Sequence, residues 1–186
     1  MNTSKPTSAT SGRPASGHPV VVELVTLAHV RDTDHVGWSV TDAVLPAGSD
    51  PDDLAWILAR EQDADASVCH STSWRWDAGQ RIVLTYATLL PRDDLHDCIL
   101  LDQPAIVTSD DATHPRPPVL HAHHIAAHAV THLADLARRD PTVRALAHTP
   151  DHEQAWAAIE ALARRTPTAT HTLAHQLAAT PGSRAE

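Results

Sequence analysis

Five of the chain's fifteen histidines fall within the twelve residues His121-Ala-His-His-Ile-Ala-Ala-His-Ala-Val-Thr-His132. His124, His128 and His132 recur at every fourth position, and His121 stands seven before His128. Steps of four and seven return to the same side of an α-helix, so four imidazoles share one stripe. Histidine is the commonest metal ligand, and its unperturbed pKa lies near neutrality. The chemistry within reach of such a stripe is metal coordination, proton exchange or hydrogen bonding to a ligand.

Helix geometry limits the first of these. His124 and His132 are eight residues apart, about 12 Å along an axis that rises 1.5 Å per residue. Zinc–nitrogen bonds are about 2.1 Å, so one ion cannot take His124, His128 and His132 together from a straight helix. A pair spaced by four can chelate, with further ligands from elsewhere; His70, His114 and Asp135 are the candidates. Helical zinc proteases place a glutamate after the first histidine, whereas Ala129 follows His128 here. The expected cofactor is therefore at most a divalent metal, on a pair drawn from His124, His128 and His132 with His70 as a further candidate ligand.

A second patch is Cys69-His-Ser-Thr-Ser-Trp-Arg-Trp76. Strict alternation puts His70, Thr72, Trp74 and Trp76 on one strand face, with Cys69, Ser71, Ser73 and Arg75 opposite. Arginine between tryptophans can bind an anion or stack on a planar ligand; the plainer alternative is that Arg75 pairs with an acid. No Gly-x-Ser-x-Gly elbow exists, so a serine nucleophile has no exposed turn to stand on. The candidate ligand site is His70, Thr72, Trp74, Arg75, His128 and His132.

From Leu45 to Leu90 the layout resembles the Nudix hydrolases. A strand ending in Leu45-Pro-Ala-Gly48 precedes a helix bearing Arg60-Glu61, and a hairpin with an aromatic strand follows. The resemblance implies cleavage of nucleoside diphosphate derivatives with Mg²⁺ held by glutamates of that helix. Arg60-Glu61 match the family's Arg-Glu pair, but its downstream Glu-Glu pair falls on Ala64 and Asp65, and its glycine on Ser67. Mg²⁺ requires several close carboxylates, and Glu61 with Asp65 is a thin set.

Composition bounds the rest. A chain of 186 residues with 42% hydrophobic and 20% charged residues suits one globular domain with tails. A net charge of −9 argues against general nucleic-acid binding. Cys69 and Cys98 are too few for a disulfide framework and read as reduced. No run approaches the ~20 apolar residues of a membrane span, and no secretory signal is visible, so a cytoplasmic protein is expected. A single lysine, many arginines and alanines, and no phenylalanine suggest a GC-rich bacterial genome.

These elements must position the candidates. Residues 1–18 read as a disordered tail, 19–165 as one domain, and 166–186 as a short helix with its turn around His171–Leu177 and then a frayed end. Val20–Val30 is a β-branched run with the character of a strand buried on both faces; 37–45, 66–76 and 81–90 are further strands, with Trp38, Val40 and Val44 sharing a face. Ser49 or Asp50 caps a helix whose first position is Pro51, with Leu54, Ile57 and Leu58 inward. Apolar residues at 98–101 and 105–107 are strand-like, and a loop spans 108–118. Helices follow at about 119–139, after Asp140-Pro141, and after Thr149-Pro150 with Trp156, Ile159 and Leu162 inward. The fold class is α+β, a mixed or antiparallel sheet packed against C-terminal helices. The function expected is a non-catalytic module that binds a small molecule or protein in a His-lined cleft. The alternatives are a metal-assisted or His-dependent hydrolase and a structural protein without a site.

Overall fold

The structure is a computed structural model that describes residues 17–31, 33–77, 79–91, 98–111, 113, 117 and 119–171. The expected tail at 1–18 falls almost wholly outside the described residues, as does 172–186. In chain order the elements are β1 (Val20–His29), β2 (Val36–Val44), α1 (Pro51–Gln62), β3 (Cys69–Asp77), β4 (Arg81–Leu89), β5 (Ile99–Leu100), β6 (Ile106–Ser109), α2 (Ala122–Arg139), α3 (Pro141–Ala147), α4 (Glu153–Arg165) and β7 (Thr168–His171). The class is α+β, with a mixed five-stranded sheet in the order β3-β4-β1-β2-β5. A parallel two-stranded ribbon, β6–β7, stands apart from it.

Strand β1 holds the centre, antiparallel to β2 and parallel to β4. Its β-branched run is covered on both faces, as its lack of alternation implies. On one face Val22, Leu24 and Tyr86 pack on Ala55, Leu58 and Ala59 of α1. On the other, Val25, Leu27, Ala87 and Leu89 meet Ala129, Val130 and Leu133 of α2 and Trp156, Ile159 and Leu162 of α4. Trp156, Ile159 and Leu162 thus point inward as their spacing predicts.

Local chemistry explains the helix starts. The Asp50 carboxylate accepts from the Asp52 N–H at 2.9 Å, and Pro51 occupies the first turn. Asp140 does the same for α3, accepting from Thr142 and Val143, and those two hydrogen bonds hold its carboxyl below the usual range. The β3–β4 turn closes with Gln80, not Gly79, in the left-handed region at φ 55.

Several details differ from the sequence expectation. Ile57 is exposed, because α1 approaches the sheet through the small residues Ala55 and Ala59. The C-terminal helices cover β2 only at its Val36–Trp38 end, so Val40 and Val44 lie open while Trp38 is buried. Helix α4 begins at Glu153 after a turn at 149–152, a few residues beyond Thr149-Pro150. Residues 168–171, expected at the edge of a short helix, form β7 because β6 offers a free edge to pair with. No described helix is long and apolar enough to cross a membrane.

Candidate functional site

The face assignment along β3 is where strict alternation fails. Ser71 pairs with Tyr86 and Ser73 with Thr85, so Thr72 is an extra residue in a β-bulge. One inserted residue exchanges the faces beyond it. His70 pairs with Ala87 and Arg75 with Val83, on the side covered by α2. Trp74 and Trp76 pair with Leu84 and Ile82, on the side of α1. Trp74 is 71% exposed there, so no indole joins the histidines.

The bulge brings β3 against the histidine stripe. His132 Nε2 lies 3.1 Å from His70 Nδ1, and their ring centroids are 5.1 Å apart. One turn earlier on α2, His128 Nε2 donates to the Thr72 carbonyl at 3.3 Å. His70 Nδ1 also faces the Ser71 carbonyl at 2.9 Å. A carbonyl only accepts, so the His70 Nδ1 carries the hydrogen and His132 Nε2 accepts it. Burial, then the neighbouring His70 and His128, hold the pKa of His132 below its ordinary value, partly opposed by Asp135. His132 therefore offers a neutral ring with an accepting nitrogen turned to the strand.

The first turn of α2 behaves differently. His121, His123 and His124 cluster, with ring centroids 4.1–5.4 Å apart; His121 stacks on His123, and His123 meets His124 edge-on. The His121 N–H donates to His124 Nδ1 at 3.2 Å, satisfying a helix-start donor. His124 serves the helix end and is not gathered with His70 and His132.

Arg75 pairs with an acid. Its guanidinium meets both Glu23 carboxylate oxygens at 2.8 and 2.7 Å and donates to Thr85 Oγ1 at 2.9 Å. Thr85 donates in turn to Glu23 at 3.0 Å. This bidentate network, mostly buried under α2's side of the sheet, leaves Arg75 no open fork for an anion. Of the six candidate ligand residues, the structure unites His70, Thr72, His128 and His132, and sets Trp74 and Arg75 apart.

A feature that sequence reasoning missed is an open cleft of about 520 Å³ at the far end of β1. Its walls are His29, Thr33 and Asp34 from the β1–β2 connection and Gln154, Ala157, Ala158, Ala161, Arg164 and Arg165 from α4. The buried His29 donates through Nε2 to the Thr33 carbonyl at 2.6 Å, and Thr33 Oγ1 donates to the Val30 carbonyl. The turn wall is thus laced in place. The one local hint is a histidine closing a mainly apolar strand.

The helix that resembles the Nudix box does not gather carboxylates. Arg60 stacks over the Trp56 ring at 5.4 Å, Glu61 is exposed, and Ala64 and Asp65 lie beyond the helix end at Gln62. Asp52 instead accepts a short hydrogen bond from the buried Tyr86, whose pKa burial and that bond raise. Burial, assisted by Asp52, pushes the Cys69 thiol up to about 12, so it is no nucleophile at neutral pH. Among the described residues no three His, Cys, Asp or Glu side chains stand ready to hold an ion. The Mg²⁺ that the resemblance implies does not fit this donor set.

No protein-family model and no curated protein matches the chain. Among solved structures the chain is similar to a MutT/nudix family protein from Enterococcus faecalis at 12% identity, with 84% of this chain and 76% of that one covered and a TM-score of 0.43. The likeness to the MutT/Nudix family is weak and partial.

Proposed function

We propose that the chain is a non-catalytic module that binds a small molecule in the cleft between the β1–β2 connection and α4. The observation that carries this reading is the cleft itself, whose roughly 520 Å³ falls among the volumes of small-molecule sites. Its floor is Ala157, Ala158 and Ala161, while Arg164 and Arg165 supply cationic groups and Asp34, Thr33 and Gln154 supply polar ones. That lining suits a compact organic ligand with an apolar body and a carboxylate or phosphate, which arginine forks recognise. His70, Thr72, His128 and His132 do not line this cleft and form a separate polar seam.

The test is a thermal-shift screen of small carboxylates, phosphates and amines on the parent and on Ala157→Trp, which fills the cleft from an exposed position. A ligand that raises the parent's Tm and not the variant's supports the reading. A panel without any shift, or shifts that survive Ala157→Trp, rejects it.

A further inference from the structure

We propose that His70 and His132, with His128 as a third donor, bind one divalent first-row transition-metal ion such as Zn²⁺, Ni²⁺ or Cu²⁺. The inference rests on the seam alone and is independent of the cleft. Two imidazole nitrogens from elements 62 residues apart face each other at 3.1 Å. Two nitrogens each about 2.0–2.1 Å from one tetrahedral zinc are roughly 3.3 Å apart, so the pair is already at the spacing of co-ligands. The ion enters by taking the place of the hydrogen that His70 Nδ1 now directs at His132 Nε2. His70 then carries its hydrogen on Nε2, no proton need leave, and both accepting nitrogens turn to the ion.

His128 stands one helical turn, about 6 Å, from His132, with ring centroids 6.2 Å apart. It is held by a single long hydrogen bond, 3.3 Å, to the Thr72 carbonyl. That carbonyl belongs to the bulged residue, which has no partner of its own in the strand register. Releasing this bond swings the third imidazole toward the pair, and water completes the coordination. Neutral imidazoles without a carboxylate favour Zn²⁺, Ni²⁺ and Cu²⁺ and exclude Mg²⁺ and Ca²⁺, which demand oxygen donors.

The rival is the stacked cluster at His121, His123 and His124, which can also collect cations. Calorimetric titration with ZnCl₂ and NiCl₂, with MgCl₂ as control, separates the two. The variants are His70→Ala, His132→Asn and the double change His121→Ala with His123→Ala; circular dichroism confirms that each is folded. One equivalent bound by the parent, weakened at least tenfold in both His70→Ala and His132→Asn and unchanged in the double variant, supports the site. No binding to the parent, binding equal for Mg²⁺, or affinity that follows His121 and His123 instead overturns it.

Discussion

Helix α2 carries one residue type in two settings. At its start, His121, His123 and His124 cluster among themselves, and His121 and His123 are exposed. Further along, His128 and His132 are half-buried and reach across to the bulge of β3. The helix stripe is continuous, so the contrast comes from what lies opposite. At His132, burial and the rings of His70 and His128 hold the pKa below its ordinary value, and the facing strand supplies the partner for its Nε2. A stripe on a wheel is therefore half of a site, and the strand decides which half is used.

The comparison is broken most severely by loosening the anchored part of α2. Leu133, next to His132, is fully buried, and Leu133→Ala is expected to cost about 2–5 kcal/mol in urea melts. A loss below ~1 kcal/mol would mean that α2 does not depend on the sheet there. Next in size is Arg75→Ala, which strands the Glu23 carboxylate on the same side of the sheet. Removing one partner of a largely buried pair costs about 3 kcal/mol, read by the same melts.

The third expectation concerns pH. The folded pKa of His132 lies below 6.5 and the unfolded chain titrates near 6.5, so below that value the unfolded state binds more protons. Stability contributed by the neutral ring is complete above about pH 6.5 and declines as pH falls toward the folded pKa. His132→Asn is expected to flatten this part of the Tm–pH curve; an unchanged slope would assign it to other histidines. The smallest effect is expected from His121→Ala with His123→Ala, within ±0.5 kcal/mol, because these rings are exposed. A larger loss would erase the contrast between the two settings.

Legibility in the sequence followed locality. The apolar run of β1, the helix start at Pro51, the cap at Asp140 and the inward set Trp156, Ile159 and Leu162 are each decided by a few neighbouring residues, and each reads directly. The meeting of His70 with His132 could be anticipated, because a helix stripe at the edge of an apolar face must border whatever strand it covers. The exchange of faces at Thr72 could not. Two registers one residue apart satisfy the same alternating pattern, and the choice belongs to distant partners: Glu23 for Arg75 and His128 for the Thr72 carbonyl. The cleft was invisible for a similar reason, since its walls come from a turn and a helix more than a hundred residues apart.

Glu23 has a consequence for how this chain avoids sticking to its own copies. Val20-Val-Val-Glu-Leu-Val25 is a β-prone stretch whose one charge is Glu23. The central strand emerges during synthesis before its parallel neighbour β4, which lies about 60 residues downstream. Until β4 arrives, the exposed run meets the composition rule for cross-β association, and Glu23 acts as its gatekeeper. In the folded state the same carboxylate is no asset of its own, since a well-packed apolar pair can replace a buried ion pair at no loss. The double change Glu23→Val with Arg75→Met is thus expected to hold or raise the Tm while lowering soluble yield and refolding recovery at high concentration. Equal recovery for the two proteins would show that self-association is governed elsewhere, and the charge in β1 would then belong to the native sheet alone.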